Sequence, residues 1–533
     1  MMTTRVLLSD RLSQTAVEIF RERGIKADFR PGIGRDAPAL ASIIDGYDGL
    51  AVRSATRVTA ELLARARRLK VVGRAGIGID NIDLGAATRH GVIVMNTPFG
   101  NSETTAEHAI ALMFSVARQI PQANQSTKSG KWEKSRFLGS ELIGKTIGVV
   151  GCGNVGSAVC RRALGLGMKV IGHDPFLSVD RARQIGIEKV EMDELLARSD
   201  FVTIHVPLNA ATRNLIDASA LRKTRVGVRI VNCARGGIVD EAALLDAVRS
   251  GQVAGAALDV FEREPPHGNP LLDLPQVIAT PHLGASTTEA QEKVAVQVAE
   301  QMSDFLLSGA VSNAINMPSM SAEEASRLKP WINLATHLGS FVGQMTSEPI
   351  RSLNLLYDGA AARMNTDALS AVAIASILKV SNPDVNMVSA ETVAKERGIV
   401  VSSTKQTKSG VFDAYIRLTI ETDSLTRTIV GTVFSDGRPR FIQIKGIYVD
   451  AGISRHMLYT TNTDKPGMIG KLGTILGKHD VNIANFNLGR SEVDQDAIAL
   501  LSLDTPVPQI VVEELSGTGL FRHVSPLRFD VQE

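Results

Sequence analysis

Apolar residues in the first part of the chain fall into short runs separated by longer stretches of mixed polarity. Val6–Leu8, Gly49–Ser54, Val71–Gly78 and Val92–Asn96 read as strands, Ala27–Arg30 as a weaker one, and Gln14–Arg23 as a helix. Thr104–Arg118 is a long apolar helix suited to linking two lobes. Strand-like runs resume at Thr146–Val150, Met168–Gly172, Phe201–Val206, Val228–Asn232, Ala254–Val260 and Val277–Thr280. Runs so short and so continuously apolar fit strands covered on both faces. Their alternation with helices implies α/β architecture with parallel sheets, whose ligands sit beyond the carboxyl ends of the strands.

The pattern changes after Met317–Ser321, which reads as a linker. Ala322–Thr346 and Ala368–Lys379 are helical in period, and Val411–Glu421 and Thr426–Ser435 alternate like paired strands around an Asp423-Ser424 turn. Arg438, Arg440 and Lys445 read as a solvated basic edge, with an anion site as the alternative. The last segment runs strand His456–Asn462, helix Ile469–Gly477, strands Val481–Leu488 and Ala497–Leu503, helix Gln509–Leu515 and strand Leu527–Asp530. That β-α-β-β-α-β order is the ferredoxin-like split unit.

One stretch carries recognisable chemistry. The strand Thr146–Val150 runs into Gly151-Cys152-Gly153-Asn154-Val155-Gly156, then a helix over Ser157–Gly167, a second strand, and Asp174. In such a unit Gly151 permits the tight turn, Gly153 lets backbone approach a pyrophosphate, and Gly156 lets the helix pack closely. The pyrophosphate rests on the helix N-terminus, where free N–H groups and the dipole favour an anion. Asp174 lies where a carboxylate accepts hydrogen bonds from the adenosine ribose, and its charge disfavours a 2′-phosphate, so NAD is expected over NADP.

Composition narrows the class by exclusion. The 533 residues suffice for three or four domains, and Lys+Arg 58 against Asp+Glu 56 leaves a net charge of +2. No global field then points to nucleic acid or a membrane surface. The three cysteines, Cys152, Cys160 and Cys233, form neither a disulfide framework nor a metal-ligand spacing. A reducing cytoplasm is the simplest compartment. The N-terminal apolar core is too short for a signal peptide, and no apolar segment is long enough to span a bilayer.

Several predicted strands end on polar residues at the edge where ligands bind. Arg53 and Arg74 do so early in the chain; Arg235, Asp259 and His282 do so later, with Glu264 in a loop between them. Trp132, Lys134 and Arg136 lie in a loop ahead of the glycine turn, placed to face a cleft. A nicotinamide enzyme oxidising a hydroxy acid needs a base, an orienter for it, and a cation for the carboxylate. His282 has the imidazole chemistry for the first. Glu264 can hold the imidazole and stabilise its cation, and Arg235 can grip a carboxylate. His108, inside the long helix, reads as a packed helix residue.

Asn232–Glu241, Ala257–Phe261, Glu264-Pro265 and Pro281–Ser286, with the glycine turn, resemble the D-isomer-specific 2-hydroxyacid dehydrogenases, over Val6 to about Asn316. The resemblance implies two Rossmann-like lobes: an outer lobe of residues 1–97 and 283–316, and a nucleotide lobe of residues 98–282 inserted into it. It makes Arg235, Glu264 and His282 the catalytic three. It places Gly151, Gly153, Asn154, Val155, Gly156, Asp174, Cys233, Arg235, Asp259 and His282 around NAD, with Asp259 near the carboxamide. Val71–Asn81 and Gly130–Glu133 resemble the members that oxidise 3-phosphoglycerate at the entry to serine synthesis, with 2-oxoglutarate reduction as a side activity. A substrate carrying both phosphate and carboxylate calls for extra cations, and Arg53, Arg74 and Lys134 are the candidates beside Arg235. Residues 317–452 resemble the intervening, allosteric substrate-binding-like domain of the long members, and 453–533 an ACT domain, which usually pairs across a subunit interface. Asn462, Asp464 and Asn482 then sit where relatives hold an amino-acid effector, serine being the one to try, with plain turn formation as the alternative, and a homo-oligomer, dimer or tetramer, is expected.

Two rival readings stand beside this one. Hydroxypyruvate and glyoxylate reductases share the two lobes, but usually stop near Asn316. NADH-sensing corepressors share the fold, but their tails look disordered, whereas this tail is patterned as packed domains.

Overall fold

The protein is described by a computed structural model covering residues 3–98, 100–407, 412–491 and 496–531. Val411, the first residue of one expected strand, lies outside them.

The first sheet has five parallel strands, in the order Lys26–Phe29, Arg5–Leu8, Gly49–Val52, Val71–Arg74, Ile93–Met95. Its central strands are apolar at nearly every position because both faces are covered. One cover is the helix Thr288–Ser308, far later in the chain. Its Thr287 cap accepts from the Ala290 N–H, and Gly309 ends it in the left-handed region. Val294, Ala295, Val298, Ala299 and Met302 recur on one face and are buried with Val6, Ala51 and Val71. The approach is close enough that a Cβ at Gly73 would lie 2.3 Å from the Met302 sulfur. This packing brings the segment after His282 back to the first lobe.

The second sheet has seven parallel strands, in the order Val277–Ala279, Val253–Leu258, Val228–Asn232, Phe201–Ile204, Thr146–Val150, Lys169–His173, Glu188–Lys189. The order turns around Thr146–Val150, and the crevice at such a reversal is where dinucleotides bind. The helix Ser102–Arg118 packs on this sheet, burying Ala106, Ala109, Leu112, Met113 and Val116 with Ile147 and Val149.

A six-stranded mixed sheet follows, in the order Val400–Gln406, Ser352–Gly359, Ala414–Glu421, Thr426–Val433, Pro439–Ile444, Ile447–Gly452. Helices Ala322–Gln344 and Thr366–Lys379 cover one face. Val400–Gln406 escapes a pattern-based reading because it is an exposed edge strand rich in Ser, Thr and Lys. The last sheet is antiparallel, in the order Ile483–Arg490, Asp496–Leu503, His456–Thr463, Phe521–Arg528. Its final strand begins at Phe521, earlier than the expected Leu527–Asp530. Pairing with His456–Asn462 holds the polar residues His523 and Ser525 in the ladder despite their weak apolar signal, with Arg522 at a bulge.

His337, on the long helix Ala322–Gln344, is 5% exposed and meets Phe529 edge to face. Burial pushes its pKa down to about 4, with Asp530 opposing weakly. The unfolded chain takes up that proton near pH 6.5. Stability from this residue is therefore complete above about pH 6.5 and lost as pH falls toward 4, by on the order of 3 kcal/mol. His337→Leu should flatten the fall in melting temperature across that window; an unchanged acid slope would assign it to other groups.

Candidate active site

The glycine turn is built by sterics. Gly151 has φ +89°, and its N–H donates to the His173 carbonyl at 2.8 Å. A Cβ at Gly156 would lie 1.9 Å from the Gly151 carbonyl oxygen, so the third glycine is required by the turn's own backbone. A Cβ at Gly153 would meet nothing within 4 Å. That open space lies over the start of helix Asn154–Gly165, which has no side-chain cap, so the Asn154 and Val155 N–H groups head its first turn. The helix begins inside the glycine motif, three residues earlier than the expected Ser157. The Asp174 carboxylate accepts from the Cys152 N–H at 2.9 Å and the Phe176 N–H at 2.8 Å, which holds it beside the turn. Open backbone, uncapped helix and fixed acid together fit a dinucleotide.

Asp259 ends strand Val253–Leu258 and is almost wholly buried. Burial alone would raise its pKa; hydrogen bonds from His108 (3.1 Å), Thr280 Oγ1 (2.6 Å) and the Leu283 N–H (2.7 Å) lower it below the usual carboxylate range. The Gly284 N–H donates to its other oxygen at 2.8 Å. His108 is thus packed in its helix but also belongs to the site. No sequence signal points to it, because its partner lies 151 residues away. Cys233 is buried nearby, and burial with the Asp259 charge raises its thiol pKa.

His282 and Glu264 meet as expected, Nδ1 to Oε2 at 2.9 Å. His282 sits at φ +57°, its N–H donating to the Asp259 and Thr280 carbonyls. The Phe261 N–H donates to the other Glu264 oxygen at 3.2 Å. Burial would raise the Glu264 pKa, but the hydrogen bond and charge of His282 prevail and lower it. With Nδ1 engaged, Nε2 is the nitrogen free for a substrate proton.

Arg53, Arg74 and Arg235 gather as cations. Arg74 ends strand Val71–Arg74, with its Nε buried and without a hydrogen-bond partner. Burial, then Arg235 and Arg53, push its pKa down to about 10, while Asp80 and Asp10 oppose. It stays charged at neutral pH. Arg53 is fixed through its backbone, its N–H donating to buried Asp10 at 2.6 Å. Lys134 is not brought among them by any hydrogen bond or ion pair: it is exposed on the short turn Lys134–Arg136, where Arg136 pairs with Glu133. Trp132, beside it, is 85% exposed.

Two further constellations lie toward the C-terminus. Asn462 is buried and donates to the Thr463 carbonyl, Asp464 lies 3.6 Å from the Arg490 guanidinium, and Asn482 donates to Asp504 at 2.6 Å. They flank helix Met468–Lys478, whose N-terminus has no side-chain cap. Separately, a cavity of about 380 Å³ is lined by Arg427, Lys445, Arg522 and His523, with Asp496 as the acid among them. Burial and the neighbouring Arg427 and Lys445 lower the His523 pKa, and burial lowers that of Lys445. The three basic residues noted in sequence therefore part company: Arg438 stays at the exposed edge, Arg440 pairs with Asp450 at 2.6 Å, and Lys445 enters this cavity.

Lobes and site are those of a 2-hydroxyacid dehydrogenase. Residues 110–284 match the NAD binding domain of the D-isomer specific 2-hydroxyacid dehydrogenases, 327–445 the D-3-phosphoglycerate dehydrogenase intervening domain, and 456–518 an ACT domain. The chain is 43% identical to a D-3-phosphoglycerate dehydrogenase of Bacillus subtilis over 96% of its own length and 97% of that protein's. It is 40% identical to that of Archaeoglobus fulgidus over 97% and 98%. The chain belongs to the D-3-phosphoglycerate dehydrogenase family. Among solved structures, a glyoxylate reductase from Paecilomyes thermophila superposes with TM-score 0.55 at 32% identity, covering 59% of this chain and 99% of its own. A D-lactate dehydrogenase from Aquifex aeolicus, complexed with NAD and lactic acid, superposes with TM-score 0.52 at 26% identity, covering 59% and 100%. Such neighbours are matched almost whole by little more than half of this chain.

The two glycines should fail differently. Gly156→Ala should lower the melting temperature, since overpacking against fixed backbone costs about 1–3 kcal/mol. Gly153→Ala should leave melting unchanged while weakening NADH binding tenfold or more in a fluorescence titration. Unaltered NADH affinity in Gly153→Ala would place the pyrophosphate elsewhere.

Proposed function

We infer that the protein oxidises 3-phospho-D-glycerate to 3-phosphooxypyruvate with NAD, the first step of L-serine synthesis. The observation that carries this is the cationic group of Arg53, Arg74 and Arg235, mutually close at and beyond strand ends, together with the His282–Glu264 pair. Three guanidinium groups exceed what one carboxylate needs, and Arg74 holds its charge with its Nε unpartnered. In this reading Arg235 takes the carboxylate, Arg53 and Arg74 take the phosphate, and Lys134 adds charge at the rim. His282 Nε2 accepts the hydroxyl proton, and Glu264, already ionised, stabilises the imidazolium. Gly151, Gly153, Asn154, Val155, Gly156 and Asp174 hold the adenosine and pyrophosphate side of NAD; Cys233, Asp259 and the catalytic residues face its other end. NAD, when bound, supplies the two-electron acceptor. Asp174 disfavours a 2′-phosphate by charge.

The C-terminal segments are read as regulatory. An amino acid such as serine would place its ammonium on Asp464, in competition with Arg490, and its carboxylate on Asn462 and Asn482. The exposed Asp464–Arg490 contact contributes little by itself, so exchange is cheap. The cavity of Arg427, Lys445 and Arg522 suits an anion such as a phosphorylated acid. Domain limits at 97, 282, 316 and 452, a homo-oligomeric assembly and a cytoplasmic location complete the reading. Three buried free thiols are consistent with a reducing compartment.

A substrate panel separates the rivals: 3-phosphoglycerate and glycerate with NAD, and glyoxylate, hydroxypyruvate and 2-oxoglutarate with NADH. Turnover on 3-phosphoglycerate should dominate, with 2-oxoglutarate a slower side reaction. His282→Ala should lower kcat about a hundredfold or more while NADH binding survives. Arg74→Ala should raise KM about tenfold to a hundredfold for 3-phosphoglycerate and less for glycerate. Faster reduction of glyoxylate or hydroxypyruvate, or an equal Arg74 effect on both acids, would reject the assignment. For regulation, calorimetry should detect serine in wild type and lose it in Asp464→Ala, and detect inorganic phosphate and lose it in Arg427→Ala. No heat from either ligand would reduce both segments to assembly modules.

A further inference from the structure

The grip on the substrate carboxylate is itself held. Arg235 Nε donates to Asp80 Oδ2 at 2.8 Å, across 155 residues and from one lobe to the other. Its Nη1 donates to the Ala234 carbonyl at 2.6 Å. The Nη2 corner lies over Gly78: a Cβ there would fall 1.7 Å from Nη2 and 2.7 Å from Asp80 Oδ2, so a side chain at this position would displace the pair. Asp80 stands on a pinned turn, since the Asn81 side chain donates to the Arg53 and Thr56 carbonyls at 2.7 and 2.6 Å. The loop before it is pinned too: Thr97 accepts the Gly76 N–H at 2.7 Å, and Asn96 donates to the Ile77 carbonyl at 2.6 Å.

We propose that Asp80 is a positioning residue for the reaction, which fixes the Arg235 guanidinium by its Nε so that the Nη1–Nη2 edge is presented to the substrate carboxylate. The physical case is one of geometry and charge. A guanidinium offers its donors in one plane, and engaging Nε sets the direction of that plane. With Nε on Asp80, a two-point grip is restricted to the outer edge, which selects one orientation of a planar carboxylate. The same acid offsets two arginines, since it also raises the pKa of Arg74 against the effect of Arg235. The pair is an ill-suited stability device: Asp80 is 60% exposed, and exposed ion pairs contribute little to folding.

The proposal rests on Arg235 as the carboxylate grip, and a double-mutant cycle tests both levels. Asp80→Ala should lower kcat/KM for 3-phosphoglycerate tenfold or more, with melting temperature and NADH affinity unchanged. Asp80→Asn, whose amide oxygen still accepts from Nε, should recover part of the loss. In an Arg235→Ala background, Asp80→Ala should cost nothing further, because no guanidinium remains to be oriented. If turnover in that background is too slow to follow, the same cycle is read from calorimetric binding of 3-phosphoglycerate to the NADH-loaded enzyme, a pair that cannot react. A normal or raised kcat/KM in Asp80→Ala, or an equal loss in both backgrounds, would overturn the proposal while leaving Arg235 in place. A normal kcat/KM in Arg235→Ala would remove the grip and the proposal together.

Discussion

The buried carboxylate of Asp259 is the constraint on which the two-lobe arrangement depends. An isolated carboxylate inside a protein costs several kcal/mol, and only hydrogen-bond donors offset it. The donors here are His108, Thr280 and the N–H groups of Leu283 and Gly284. They come from two parts of the chain. His108 lies on the helix by which the chain enters the nucleotide lobe, and Thr280, Leu283 and Gly284 lie on the segment by which it leaves. Satisfying one charge therefore fastens entry and exit to a strand end, and sets His282, in the middle of the exit segment, at the edge of the cleft.

The rest of the site inherits that placement. His282 adopts the left-handed region because its own N–H turns back to the Asp259 and Thr280 carbonyls, which leaves the ring to reach Glu264. The backbone term costs on the order of 1 kcal/mol for a residue other than glycine, and the surrounding hydrogen bonds over-determine it. Opposite, the outer lobe contributes Arg53 and Arg74 from consecutive strand ends, so like charges are brought together by the parallel sheet. Proximity of that kind is unfavourable until an anion arrives.

The two C-terminal segments extend the same physics. The outer lobe shares one continuous apolar core with the intervening sheet and the first strand of the last one, from Val6 and Met302 through Leu334 and Tyr357 to Tyr459. A continuous path of packed side chains thus joins the outer lobe to the C-terminal sheets. An effector acts through such a path only if it binds two arrangements of it unequally.

Much of this was legible in the sequence. Continuous apolar runs marked the parallel strands, the spacing from Gly151 to Asp174 marked the nucleotide unit, and strand-end positions marked Arg53, Arg74, Arg235, Asp259 and His282. These are local properties: a strand's burial and a turn's steric limits are written in neighbouring residues. The tertiary structure alone decided the partnerships across the chain. His108 joins Asp259, Arg235 joins Asp80, the helix Thr288–Ser308 returns to the first sheet, and Lys445 leaves Arg438 and Arg440 for a cavity with Arg427 and Arg522. It also drew Val400–Gln406 and Phe521–Arg528 into sheets their weak apolar pattern did not announce. The reason is that hydrogen bonds and ion pairs depend on distance in space, and distance in space between residues 151 or 155 apart is fixed by how whole lobes pack.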